Sequence, residues 1–262
     1  MGASLMPLQR WKLTIEYQGT GYAGWQRQED GIPSVQQEIE EAISKFCGQD
    51  CRLHVAGRTD AGVHAHGQAA HFDLDYGDRF LDGYILTKAI NAHLGTHKIK
   101  ILLAEAVGDD FHARFHATNK LYIYRILTRL APPTFDENLV WWMRQDLDIS
   151  RMQEGAKYLL GQHDFTSFRA TECQAKSPIK TLNRCDIELT VLPCGGNEIR
   201  FLVEAKSFLH HQVRNMVGSL VQLGTHKWQP IDIKTILEAK DRKKGGITAP
   251  ADGLSLVRVD YS

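Results

Sequence analysis

The sequence predicts an α+β protein built from two split βαβ units, and three observations lead there. Several short segments alternate apolar and polar residues with a period of two, as half-buried strands do. Other segments carry apolar residues at helical spacing behind N-terminal capping signals. The order β-α-β-β-α-β then occurs twice along the chain.

In the first half, Trp11, Leu13, Ile15 and Tyr17 alternate with Lys12, Thr14 and Glu16, which predicts a strand over 11–17. Ser34 and Gln37 have capping-box spacing, and Val35, Ile39, Ala42, Ile43 and Phe46 follow as one helical face. Strands are expected near 52–56 and 67–73, a helix near 80–94 and a strand over 98–107. The second half opens with a strand over 120–129. Ser150 is then expected to open a helix that Gly161 closes. Two β-rich runs, 181–192 and 198–206, flank the turn signal Cys194-Gly195-Gly196-Asn197. Helices over 210–223 and 232–241 precede a last strand over 254–259. The expected division is residues 8–115 and 116–262, with two sheets side by side and a cleft between them.

The 262 residues are 43% hydrophobic and 24% charged, the composition of a folded soluble chain long enough to bury a sizeable core. No apolar run approaches the roughly 18–20 residues of a membrane span. The opening MGASLMPLQR lacks the pattern of a secretory signal, and Met6 stands where a myristoylation motif following Gly2 needs Ser or Thr. A cytoplasmic location is the expectation. The cysteines (Cys47, Cys51, Cys173, Cys185, Cys194) are odd in number and form no CxxC pair, which points to free thiols.

Net charge is formally zero, but its distribution is uneven. Arg114, Lys120, Arg125 and Arg129 occur between Asp110 and Asp136 with no acid among them. Lys176, Lys180 and Arg184 form a second basic tract, and Lys206, Arg214 and Lys227 a third, beside His210, His211 and His226. Acids gather elsewhere, at Glu38, Glu40 and Glu41 and at Asp73, Asp75, Asp78 and Asp82. Such tracts either assemble into a face for a polyanion or are ordinary solvated surface.

Three motifs invite chemistry. Gly19-Thr20-Gly21-Tyr22-Ala23-Gly24 fits GxGxxG, but a dinucleotide site needs a helix to begin inside that loop, and here the helix is expected only after Ser34. With Trp25, Gln26 and Arg27 the loop suits contact with something planar or anionic, or else a tight turn over a buried Trp. His64-Ala65-His66 with His71 and Asp60 resembles a metal cluster in composition, yet no HExxH or cysteine pair supports it, and no metal is expected. Gly57-Arg58-Thr59-Asp60-Ala61-Gly62-Val63-His64, between two expected strands, frames an acid with glycines that allow close approach by a ligand. The plainer reading of Asp60 is a side chain capping turn amides.

The segment GRTDAGVHAHGQ (57–68) resembles the catalytic motif of the tRNA pseudouridine synthase A family. The likeness continues through Tyr17-Gln18-Gly19 and Gly24-Trp25-Gln26-Arg27-Gln28, DDFHARFHATNKLYIYRI (109–126) and GQHDFTSFR (161–169). It ends with SFLHHQVRNMVGSL (207–220) and ADGLSLVRVDY (251–261). These blocks stand in family order over nearly the whole chain. Leu121 departs from the pattern, since relatives often carry a basic residue before the tyrosine.

The resemblance implies two ferredoxin-like halves whose antiparallel sheets join side by side, with helices on one face and a cleft between the halves. It implies a homodimer that binds tRNA and isomerises uridines of the anticodon stem-loop around positions 38 to 40. No cofactor is expected, because an isomerisation needs neither redox partner nor energy source, and no membrane is involved. Asp60 is implied as the essential carboxylate, able to act as nucleophile or to stabilise an electron-poor sugar carbon. A carboxylate in a dry pocket favours its neutral form unless a cation stands beside it, and the resemblance makes Arg214 that cation. Tyr122 is placed against the target base, where its ring stacks and its hydroxyl assists removal of the C5 proton. Arg58 is read as filling the vacated stack or holding a phosphate, and Gln26, Arg27 and His64 as substrate contacts. Leu254 and Val217 either close the pocket or belong to the ordinary core. The basic tracts become a phosphate surface. A non-catalytic RNA-binding protein with duplicated recognition sheets is the alternative, although it lacks an RNP1 aromatic motif. A metal-dependent hydrolase on His64, His66 and His71 is a third reading.

Overall fold

The computed structural model describes residues 8–29, 31–77, 81–193 and 195–262. Gly2, Met6, Asp78 and Cys194 lie outside the described residues. The protein is of the α+β class, and its chain divides into two compact units. One comprises the described residues up to Thr118 together with Val257–Ser262; the other is Asn119–Leu256. The last strand therefore begins in the second unit and ends in the first.

The first unit runs β1 (Gln9–Tyr17), α1 (Val35–Cys47), β2 (His54–Val55), β3 (His64–Leu74), α2 (Gly83–Leu94) and β4 (Ile99–Val107). Strand β1 is central, antiparallel to β3 with Leu13 opposite Ala70, and to β4 with Leu13 opposite Ala104. The short β2 pairs with β3. The alternation read from 11–17 is borne out: Trp11, Leu13, Ile15 and Tyr17 are all buried. Ser34 caps α1 by accepting from the Gln37 amide at 3.4 Å. Gln37 sends its own side chain on to Glu41 at 2.9 Å. Gly48 ends the helix at φ 74°, the left-handed region that glycine enters without penalty. Val35, Ile39, Ala42 and Ile43 form its buried stripe.

The second unit runs from β5 (Ala117–Thr128) through β6 (Trp141–Met143), α3 (Ile149–Lys157), β7 (Gly161–Asp164), β8 (Ile179–Val191), β9 (Asn197–Ala205), α4 (Gln212–Gly224) and α5 (Pro230–Ala239) to β10 (Leu254–Tyr261). Strand β9 lies antiparallel to both β5 and β8, and β7 continues beside β8. Around the expected core of elements, β6, β7 and α5's early start are additions.

Both expected boundaries of one helix are corrected. Asp148, not Ser150, caps α3, because its carboxylate accepts from the Arg151 amide at 3.1 Å. That helix ends at Tyr158, and Gly161, at φ 94°, opens β7 rather than closing the helix. Helix α4 is buried almost all round, its polar Gln212, Asn215 and Ser219 included, and Met216, Val217 and Leu220 have barely any exposure. No helix among the described residues is long and apolar enough to cross a membrane.

Candidate active site

The loop that carries Asp60 lies between β2 and β3 and has no ladder of its own, so its order comes from individual hydrogen bonds. The Thr59 carbonyl accepts from the Trp25 amide at 3.1 Å, and the Asp60 carbonyl from the Val63 amide at 3.1 Å. The Thr59 hydroxyl meets the Tyr17 hydroxyl at 2.8 Å. The Gln68 amide donates to the Gly57 carbonyl at 2.8 Å. Gly62 donates weakly to the Tyr22 carbonyl at 3.4 Å. Asp60 itself is half-buried, between exposed Ala61 and buried Thr59.

The glycine-rich segment 17–28 is packed against this loop, backbone to backbone. A methyl at Gly19 would sit 2.1 Å from the Val63 carbonyl oxygen, and one at Gly24 would sit 2.7 Å from that of Thr59. Gly24 also holds φ 93°, so two independent constraints select glycine there. His64 ties the segments together: its Nδ1 accepts from the Gly19 amide at 2.9 Å, and the ring is buried. The helix after the loop begins at Val35, well beyond Gly24, so the segment does not aim a helix end at a phosphate.

Trp25 is sealed at 1% exposure, with its ring centroid 6.0 Å from that of Tyr17. This selects the buried-Trp reading of that loop over contact with a planar ligand. Gln26 is half-buried, whereas Arg27 and Arg58 are exposed. The Arg27 guanidinium lies 3.6 Å from Glu40, a carboxylate that also accepts from the Leu53 amide at 3.0 Å.

In the second unit, Tyr122 lies on β5 opposite Val203, and its ring meets Phe208 edge-on at 5.2 Å. It is 8% exposed. Arg214 is in the first turn of α4, with Nε donating to the Ala249 carbonyl at 2.8 Å while the Ala249 amide donates back to the Arg214 carbonyl at 3.2 Å. His211, just before it, holds φ 60°. Leu254 and Val217 are buried among the apolar side chains of their unit.

The profile of one protein family, described as tRNA pseudouridine synthase, matches residues 13–116 and 156–262. The chain belongs to this family. It is 52% identical to a tRNA pseudouridine synthase A of Paramagnetospirillum magneticum, over 97% of this chain and 95% of that protein. A relative of the same description from Rhodospirillum rubrum is 50% identical over 96% of this chain and 87% of its own length. Another from Mesorhizobium japonicum is 52% identical over 96% of this chain and 99% of its own length. The residues Gln26, Arg27, Arg58, Asp60 and His64 fall in the first matched stretch, and Arg214 and Leu254 in the second. Tyr122 falls between them.

One sequence expectation changes in the structure. His64 and His66 stand at the start of β3, not on a loop. The nitrogen Nδ1 of His64 is occupied by Gly19, and that of His71 by the Ala113 amide at 3.2 Å. His64, His66 and His71 do not form a group of close ligand atoms among the described residues.

The basic tracts are also less available than their sequence suggests. Lys120 is buried. Arg125 is paired with Glu198 at 2.8 Å and Asp136 at 3.2 Å, and Arg184 with Asp186 and Glu204. Two of these four acids, Glu198 and Glu204, come from β9, distant in sequence from Arg125 but adjacent to β5 in the sheet. Arg114, Lys176, Lys206 and Lys227 remain exposed.

Proposed function

We propose that the chain converts uridine to pseudouridine in the anticodon stem-loop of tRNA, around positions 38 to 40, with Asp60 as its nucleophile. Membership of the family and the framing of Asp60 within the matched stretch support this reading. In the reaction the N1–C1′ bond breaks, the base turns, and C5 bonds to C1′; the proton leaves C5 and N1 gains one. Nothing is oxidised and no group is lost, so positioning and charge are the main demands on the protein. A glycosidase typically uses two carboxylates, one of them to activate water. An isomerase must keep water from its intermediate, which a single carboxylate in a closed setting suits.

The loop geometry fits that demand. The hydrogen bonds to Gly57, Thr59, Asp60 and Gly62 and the close packing of Gly19 and Gly24 hold the peptide of residues 57–63 in place, so Asp60 is presented from a supported turn. Tyr122, on β5, is assigned the stacking surface for the base and the hydroxyl that assists loss of the C5 proton. Arg214 is assigned the cation that keeps the carboxylate ionised. Arg58, exposed beside Asp60, is assigned to the RNA, with Gln26, Arg27 and His64 as further substrate contacts and Leu254 closing the pocket. These roles rest on the sequence resemblance. The same resemblance supports a cytoplasmic homodimer.

Incubation with unmodified tRNA, followed by base-resolution mapping of pseudouridine, tests the proposal. Conversion is expected at one or more uridines of the anticodon stem-loop. Asp60→Asn is expected to retain tRNA binding and to lose turnover, since shape is kept and charge is lost. Residual activity within tenfold of wild type would remove Asp60 from the nucleophile's part. Binding without conversion by the unaltered protein would leave only an RNA-binding role.

A further inference from the structure

Beneath the Asp60 loop lie three polar side chains that the proposed chemistry does not use. Tyr17 on β1, Gln68 on β3 and Thr59 in the loop are 3%, 0% and 7% exposed. Polar groups at such depth are tolerated when each is paired, and these are paired with one another and with the loop backbone. The Gln68 Oε1 accepts from the Ala69 amide at 3.1 Å, and its Nε2 donates to the Gly57 carbonyl at 2.8 Å. A flipped amide would set oxygen against oxygen and N–H against N–H, so this orientation is fixed. The same Nε2 reaches the Tyr17 hydroxyl oxygen at 3.4 Å. The Tyr17 oxygen thus accepts from Gln68, and it shares a second hydrogen bond with the Thr59 hydroxyl 2.8 Å away, in which either oxygen can donate. Burial pushes the Tyr17 phenol up to about 12, partly countered by these two partners, which keeps the proton in place at neutral pH.

We infer that Tyr17 and Gln68 are positioning residues for Asp60, forming a hydrogen-bonded strut from two strands to the two loop residues on either side of Arg58. The inference rests on Asp60 being the reacting carboxylate, as proposed above. Gly57 and Thr59 lie outside the strand ladder, so the strut supplies the polar partners that a regular element would otherwise provide. Thr59 is held at a second point by the Trp25 amide, and with the strut this fixes both the side chain and the carbonyl of the residue immediately before Asp60. A displacement of about 1 Å at a reacting group lowers rates by up to about a hundredfold, which is the scale on which such a strut acts.

The experiment measures single-turnover rate with saturating enzyme, tRNA affinity and melting temperature on the same preparations of the full chain. Tyr17→Phe is expected to lower the rate about ten- to a hundredfold while tRNA affinity stays within about twofold. A purely structural role would lower the melting temperature and leave the rate of the folded enzyme unchanged. Thr59→Val and Thr59→Ser separate shape from hydrogen bonding, and Ser is expected to recover most of the rate that Val loses. If Tyr17→Phe fails to fold, the Val and Ser pair decides alone. Wild-type rates for Tyr17→Phe and Thr59→Val, with Asp60→Asn inactive, would overturn the strut and leave the nucleophile assignment standing. An active Asp60→Asn would instead overturn that assignment, and the strut's purpose with it.

Discussion

The two units hold their candidate functional residues by different means. In the first, Asp60 stands in a loop ordered by single hydrogen bonds, close backbone packing at Gly19 and Gly24, and the Tyr17–Gln68 pair. In the second, Tyr122 and Arg214 stand on regular elements, one in the β5–β9 ladder and the other in the first turn of α4. A loop residue is sensitive to any shift of its few supports. A residue on a strand or helix moves only when the element itself moves. Altered support should therefore separate rate from stability in the first unit and join them in the second.

The sharpest contrast comes from two glycines. A Cβ at Gly19 would press 2.1 Å from the Val63 carbonyl, within the turn that follows Asp60; a Cβ at Gly218 would press 1.8 Å from the Ile247 carbonyl, in the packing of α4. Gly19→Ala is expected to lower single-turnover rate about a hundredfold through displacement of the loop. Gly218→Ala is expected to destabilise by about 3 kcal/mol, at the upper end for overpacking, and to lower the melting temperature by several degrees. Thermal unfolding and saturated rates on both variants check the pair. Equal losses of rate and stability in both would break the distinction between the units.

Much of the first unit was legible in the sequence because its signals are local. Alternation in 11–17 gave β1, and Ser34 with Gln37 gave the start of α1. The second unit was harder for the same reason in reverse. Asp148 caps α3 two residues before the serine that looked like the cap, and β6 depends on a parallel partner in β5 that no local pattern announces. For the site, the motif around Asp60 was visible, but its support was not. Tyr17 read as one more apolar strand position, and only the sheet shows its hydroxyl meeting Thr59. Arg125 read as free positive charge because Glu198, its partner, is remote in sequence.

Tyr122 tests the second unit at intermediate scale. Its ring is held by the ladder and by Phe208, so removing only the hydroxyl should leave the fold and tRNA affinity intact. Tyr122→Phe is expected to lower the rate by the hydroxyl's share alone, about a hundredfold or less if it assists proton loss. Tyr122→Leu removes the stacking face too and should weaken binding by about 1–3 kcal/mol while also lowering stability. Separate titrations of binding and rate distinguish the two variants. A Leu variant that turns over normally would take Tyr122 away from the base.

The smallest effect concerns acid stability, where the units should also part. In the first, His71 is buried beside His112, His54 and Arg10, with Asp73 opposing them, and burial foremost brings its pKa down to about 4. An unfolded chain would protonate it near 6.5. Between these values the unfolded state binds a proton that the folded state does not, so stability is fully present above about 6.5 and falls as pH drops toward 4. In the second, Glu198 is lowered despite burial because Arg125 and Arg200 donate to it. Its contribution is present above the ordinary glutamate value and is lost only as pH falls through the lowered one. His71→Gln, which keeps an acceptor for the Ala113 amide, should flatten the dependence of the urea midpoint on pH between about 6.5 and 4. Glu198→Gln should leave the range above the ordinary glutamate value alone and act below it. Urea unfolding at several pH values checks both, and an unchanged slope for His71→Gln would show that the first unit's histidines do not set its acid limit.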